Sequence, residues 1–277
     1  MSASIVSTSN VQRIWDAFNE LAERLQDPEI LGIGIVYGDP GRGKTVTAEQ
    51  IHSQIGGTGE VQTYWAPAKP TWKTMAPLLK DLLRAMGTEP RAWGADDLLE
   101  EVLAQLAERP GIFLIDEIDF FAGKESCIQL IKYLHDQRQC AFLLIGEHKS
   151  RATIRRYLSF ESRLNDGAIV EVGKLTPADV RLLIEARCSF PVRPEVMRAI
   201  YKTCATSARL VVRECRKMTR YSKINGIGTF ELEHYEAMKR KEKAEKAARQ
   251  AAKEAKKAAL KVERSGEMAI AAGGAHA

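Results

Sequence analysis

The stretch Gly38-Asp39-Pro40-Gly41-Arg42-Gly43-Lys44-Thr45 decides the fold. The apolar run Leu31 to Tyr37 leads into it, and a helix-like segment, Val46 to Ile55, follows. G-x-x-x-x-G-K-T between a strand and a helix predicts a phosphate site. Its glycines let backbone N–H groups curl around an anion, and the following helix points its positive end at the same anion. Lys44 is expected to reach the β- and γ-phosphates and the Thr45 hydroxyl to sit on Mg²⁺, with Gly38 through Val46 as the cradle. The expected ligand is ATP or GTP.

Outward from that loop, Ile112-Phe113-Leu114-Ile115-Asp116-Glu117 reads as a buried strand ending in two carboxylates. Beside a phosphate loop, Asp116 is expected to hold the water shell of Mg²⁺. Glu117 is expected to orient and deprotonate an attacking water. Val61–Trp65, Cys140–Gly146 and Ala168–Val172 read as further strands. Helical segments are expected near Thr74–Met86, Asp96–Glu108, Lys124–Gln137 and Arg151–Leu158, with Gly56-Gly57 closing the helix after the phosphate loop. Five strands alternating with helices predict an α/β fold, a parallel five-stranded sheet flanked by helices.

Before the first strand, Ser9 and Gln12 have capping-box spacing, and Val11, Ile14, Trp15, Phe18, Leu21, Ala22 and Leu25 make one helical face that Asp27-Pro28 ends. After Thr176 the pattern turns all-helical. Thr176-Pro177 opens a helix as N-cap and first residue, and Pro194–Cys204 and Ala208–Ile224 follow. The expected division is 1–175 for the α/β domain, 176–238 for a small helical lid and 239–277 for a charged tail. Lys239 to Lys261 is nearly all Ala, Lys, Glu and Arg, with almost no large apolar side chain and with Glu242/Lys246 and Glu245/Arg249 as supporting pairs. It can form a solvated helix but cannot bury a core. Gly266–Ala277 reads as disordered.

The charge is unevenly placed. The chain of 277 residues carries +5, and 236–265 alone hold 11 Lys+Arg against 5 Glu. Residues 1–235 are neutral overall, so contact of the folded part with DNA has to come from local patches. The longest apolar runs are far short of a membrane span, and Met1 to Asn10 does not resemble a signal peptide. The five cysteines show no zinc spacing and read as reduced thiols of a cytoplasmic protein.

The phosphate loop, the Asp-Glu strand, the further apolar strand, the Glu161-Ser162-Arg163-Leu164 stretch and the helical lid together resemble the AAA+ ATPases over about residues 10–235. That resemblance makes Gly38–Thr45 the Walker A and Asp116-Glu117 the Walker B motif. It puts Arg163 where an arginine finger acts on ATP held by a neighbouring subunit, and Arg209 where the lid's sensor-2 arginine falls. Sensor 1 departs from the pattern: Glu147 or His148 stands where a small polar residue is usual. A carboxylate beside a triphosphate repels it, so slow or partner-stimulated hydrolysis is expected.

Within that superfamily, Phe142 through Arg163 is similar to the transposition regulators of the phage Mu B and TnsC/TniB type. The resemblance implies ATP-dependent oligomers or helical filaments on duplex DNA without sequence preference, which select a target and activate a transposase in a bacterial cytoplasm. Lys69 and Lys73 beside Trp72, and Arg151, Arg155 and Arg156, are the candidate DNA contacts. The alternatives are a replication initiator or helicase loader, and a nucleotide-switched interaction scaffold of the secretion-associated ExeA type. Initiators carry a further DNA-binding domain after the lid, where this sequence runs into the Ala/Lys tail.

Overall fold

Strands that are apolar throughout rather than alternating must be covered on both faces, and three segments of the chain read that way. The computed structural model describes residues 5–25, 27, 32–58, 61–137 and 139–273. Helix α1 spans Ser9–Arg24 and strand β1 Ile33–Tyr37; α2 spans Lys44–Thr58 and β2 Gln62–Trp65. Then come α3 (Met75–Ala85), α4 (Ala95–Glu108), β3 (Gly111–Ile115), a 3₁₀ turn (Ile118–Phe121), α5 (Glu125–Asp136) and β4 (Cys140–Gly146). Two short helices, α6 (His148–Ile154) and α7 (Leu158–Glu161), precede β5 (Leu164–Glu171). The rest is helical: α8 (Pro177–Arg187), α9 (Pro194–Cys204), α10 (Ala208–Asn225) and α11 (Leu232–Gly273).

The five strands form one parallel sheet in the order β2-β3-β4-β1-β5. Successive residues of a strand point to opposite faces, and the core divides accordingly. Ile112 and Leu114 of β3 join Ala141, Leu143 and Ile145 of β4 against Ile14, Phe18 and Leu21 of α1 and Ile51 of α2. Phe113, Ile115, Phe142 and Leu144 face the other way, onto α3, α4, α5 and the buried Trp72. On that side Phe113 stacks on Phe142 with ring centroids 5.3 Å apart. A third core, centred on Val180, Ile184, Val196, Ile200, Val211 and Met218, belongs to the lid helices.

Local details differ from the sequence reading for physical reasons. Thr8, not Ser9, is the N-cap of α1, and its hydroxyl accepts from the Val11 N–H. Ser9 is instead drawn to Asp179, as described below. Gly56 does not close α2; the helix runs on to Thr58, where packing against β2 outweighs glycine's poor propensity. The basic segment predicted over Arg151–Leu158 breaks after Ile154 into α6 and α7, and β5 begins four residues early. Helix α11 passes through Gly266 to Gly273, so the predicted disorder there is corrected. Pro28, Leu31 and 274–277 lie outside the described residues. The pairing of Glu242 with Lys246 is absent as well: Glu242 turns to Lys217 at 3.0 Å and Lys239 at 3.7 Å, a double attraction toward the lid.

Candidate functional site

Strand β1 ends at Tyr37, and the next six residues wrap back before α2 starts at Lys44. Three glycines with positive φ, at 38, 41 and 43, make that wrap possible, and the first two are also hemmed in. Gly38 has φ +148°, and a Cβ there would lie 2.6 Å from the Val172 carbonyl oxygen. Gly41 has φ +78°, and a Cβ there would collide with the Ser207 hydroxyl of the lid. Arg42 fixes the outer side of the loop, donating to the Val172 carbonyl at 2.5 Å and pairing with Asp39.

Lys44 points inward, 9% exposed, and its ammonium donates to the carbonyls of Gly38 (2.7 Å) and Asp39 (3.0 Å). Burial pushes its pKa below the ordinary lysine value, while Asp116, Glu147 and Asp119 pull the other way. Asp116, 4% exposed, follows β3 and accepts the Glu117 N–H at 2.8 Å. Glu117 has φ 56° and ψ 38°, the one non-glycine residue with positive φ among those described. Such a conformation is held only where surrounding structure insists on it, and it clusters at functional sites.

Asp119 is the clamp behind these groups. Its carboxylate accepts the Glu147 N–H at 3.0 Å and the Ser150 hydroxyl at 2.6 Å, joining the turn after β3 to the end of β4. Of the two sensor-1 candidates, Glu147 lines the cleft, with Lys149 3.4 Å away. His148 turns to the opposite side, toward Asp39 (3.5 Å) and the Tyr37 ring.

The lid closes over the loop. The Ser207 hydroxyl and the Arg209 N–H both donate to the Gly41 carbonyl, at 3.0 and 3.2 Å. The enclosed cleft has a volume of about 550 Å³. Its polar lining includes Lys44, Asp116, Glu117, Asp119 and Glu147. Its apolar lining includes Val6, Val11, Leu183 and Val212. Arg187 and Arg209 enter from the lid. A cleft lined by both charged and apolar side chains suits a molecule with a polyanionic head and a flat apolar base.

The first turn of α1 completes this arrangement. Asn10 forms two hydrogen bonds with the backbone of Gly173, at 3.0 and 3.1 Å, where β5 gives way to the lid. Ser9 donates its N–H and hydroxyl to Asp179, which also accepts from the N–H and hydroxyl of Thr176, the cap of α8. Burial opposes ionisation of Asp179, but these four hydrogen bonds win and hold its carboxyl below the usual range.

The remaining sequence candidates lie elsewhere. Arg163 sits before β5 at the far end of the sheet, 26% exposed, gripped by Asp136 at 2.5 and 2.6 Å. Arg151 is bound on both nitrogens by Glu161 at 2.5 and 2.6 Å and is 14% exposed. Lys69 pairs with Asp81 at 2.8 Å, the carboxylate that also accepts the Trp72 indole N–H. Lys73, Arg155 and Arg156 are exposed. Asp119, Ser150, Arg187 and the segment at Val6 were missed by the sequence reading. Asp119 alone carried a signal, as the next acid after Asp116-Glu117.

A sheet ordered β2-β3-β4-β1-β5, with a phosphate-type loop after β1, paired acids after β3 and a helical lid on the loop, decides the architecture. The fold is that of the P-loop AAA+ ATPases. Residues 31–154 match the family model described as AAA domain. By sequence the chain matches no curated protein. Its AAA+ fold is similar to the ORC1 protein of Aeropyrum pernix solved in complex with DNA, at 16% identity and TM-score 0.59 over 86% of this chain and 66% of that one. It is also similar to Drosophila ORC bound to DNA, at 15% identity and TM-score 0.64 over 86% and 62%. Domain III of the replication initiation protein DnaA of Thermotoga maritima gives 16% and 0.53 over 84% and 92%. The chain thus spans about two thirds of the two ORC chains.

Proposed function

We propose that the cleft binds and hydrolyses ATP, and that the chain acts on duplex DNA as an oligomeric AAA+ ATPase. The observation carrying this reading is convergence: Lys44, Asp116, Glu117, Arg187 and Arg209 come from four separate segments and line one cleft. Among the described residues no group of three or more His, Cys, Asp or Glu converges to hold a metal unaided. One buried carboxylate, Asp116, and the Thr45 hydroxyl fit a hard cation that takes its other ligands from phosphate and water. When bound, Mg²⁺ neutralises charge on the β- and γ-phosphates.

Lys44 exchanges its two carbonyl partners for phosphate oxygens. Glu117, exposed and aimed by its left-handed backbone, takes a proton from the attacking water at its carboxylate. Arg187 and Arg209 offset phosphate charge from the lid. Arg163 is supplied to the cleft of a neighbouring copy, which makes the site whole only in an assembly. The division at 175 and 238, with lid and tail as separate units, belongs to this reading.

The finer role we propose is target selection and transposase activation in DNA transposition, on ATP-dependent filaments. Its support is the resemblance of Leu143-Leu144-Ile145-Gly146-Glu147-His148-Lys149 and the arginines after it to the transposition regulators. Lys73 and Arg156 are the DNA contacts still available in a single chain; Lys69, Arg151 and, at 3.9 Å from Glu161, Arg155 would first have to leave their carboxylates. A replication-initiator role is the second reading, favoured by the likeness to ORC and DnaA. Stimulation of a transposase against loading of a replicative helicase separates the two. The ATPase reading is tested by sedimentation with ATP and duplex DNA. Wild type should assemble only with ATP, and Lys44→Ala should neither bind ATP nor assemble; ATP binding intact in Lys44→Ala overturns the reading.

A further inference from the structure

Helix α11 begins as part of the lid. Tyr235 and Met238 are buried in the lid core. The buried Glu214 of α10 holds Lys239 at 2.5 Å and Lys217 at 2.9 Å, and Lys217 in turn holds Glu242 at 3.0 Å. Tyr235, Lys239 and Glu242, spaced four and three apart, therefore mark the face that α11 turns to the lid.

Beyond Glu242 the same face carries Lys246, Arg249 and Lys253, with Lys243 one turn before Lys246 and beside it. All four are exposed, and none forms an ion pair among the described residues. Ala244, Ala247, Ala248, Ala251 and Ala252 occupy the opposite face. In the sequence the basic spacing continues at positions 257, 261 and 264. At 1.5 Å per residue, 243 to 253 spans roughly 15 Å.

A solvated helix is ordinarily supported by Glu and Lys of alternating sign, and like charges three or four residues apart oppose it. Here Lys243/Lys246, Lys246/Arg249 and Arg249/Lys253 are all such repelling pairs, and Glu245 forms no ion pair with Arg249. The stripe is therefore unfavourable for the chain alone and relieved by a polyanion. A membrane surface does not suit it, because interfacial helices carry Trp, Phe or Leu opposite their basic face, and opposite Lys243 to Lys253 α11 carries alanine. Single strands are bound on aromatic platforms, of which the stripe has none. Phosphates repeating along a duplex match its sign and its linear run of charges.

We infer that the stripe Lys243-Lys246-Arg249-Lys253 is a phosphate-backbone contact for duplex DNA, held at a fixed angle to the lid by the Glu214 network. The choice of DNA over an RNA duplex rests on the function proposed above. The stripe itself needs no nucleotide in the cleft, so its contribution is expected with and without ATP.

The test uses the full chain with Lys243→Gln, Lys246→Gln, Arg249→Gln and Lys253→Gln combined, glutamine being a comparable helix former. The control combines Ala247→Gln with Ala251→Gln on the opposite face. Binding to a fluorescent 30-base-pair duplex is followed by anisotropy against salt, in wild type and in Lys44→Ala. The stripe variant should lower the slope of log affinity against log salt by roughly 3 to 4, in both backgrounds, and the control should leave it unchanged. An unchanged slope in the stripe variant overturns the contact while leaving the ATPase reading intact. An equal loss in the control overturns the one-sided geometry. Loss of binding to phosphatidylserine vesicles or duplex RNA, with DNA binding retained, overturns the choice of partner. No DNA binding by wild type overturns both this inference and the DNA-acting function.

Discussion

The two ends of strand β1 are built to opposite plans. At its carboxyl end, the phosphate-type loop, the turn after β3, the end of β4 and two lid helices bring charged groups into one cleft, where Lys44 and Asp119 are tied to neighbouring backbone. At its amino end, about 15 Å away, the Ile33 N–H is held by the Arg163 carbonyl, and the Arg163 side chain lies outside along Asp136. One end receives; the other presents. Charge inside a cleft is stabilised by the chain's own groups, whereas an arginine held at the surface, here by Asp136 and the Ser159 carbonyl, can be redirected, since surface pairs are worth little in water.

The largest effect should come from crossing the two ends. Arg163→Ala should keep ATP binding and lose about a thousandfold or more in turnover. Mixing it with Lys44→Ala subunits should restore hydrolysis, because each variant supplies what the other lacks; no recovery in the mixture would assign Arg163 to Asp136 alone. Next, Glu117→Gln should retain ATP while turnover falls by about a hundredfold to ten-thousandfold, measured by single-turnover kinetics. Normal turnover would remove the proton-accepting role.

Asp179→Asn probes the receiving end without touching ATP. It turns one acceptor of a four-bond cluster into a donor and should destabilise by about 1–3 kcal/mol in urea unfolding. Because the folded carboxyl is depressed, its stabilisation is full above the ordinary carboxylate pKa. It disappears as pH falls through the folded value. The variant should therefore lose part of the wild type's acid sensitivity. The smallest change expected is in Glu147→Gln. Removing that charge should tighten ATP about twofold to threefold by titration, with the gain shrinking as salt rises. Weaker binding would mean that Glu147 helps rather than repels.

Much of the receiving end was legible in the sequence. Its loop and acidic pair are local patterns, and apolar strands β1, β3 and β4 announce a sheet covered on both sides. What escaped depends on contacts made far along the chain. Asp119 acts on Glu147 and Ser150, Ser9 on Asp179 and Asn10 on Gly173, each across 28 or more residues. No spacing rule links such positions. Arg151 misled for the complementary reason: a basic residue looks available until the fold sets Glu161 beside it. Glycine at 56 misled because local propensity is weak against packing.

Helix α11 changes the scale on which the lid acts. Its 42 residues make a rod about 60 Å long, rooted in the lid by Tyr235, Met238 and the Glu214 ion network. A rod of that length works as a lever. One degree of lid rotation sweeps its far end through about 1 Å, so a displacement too small to notice beside Gly41 becomes a stride at the tip.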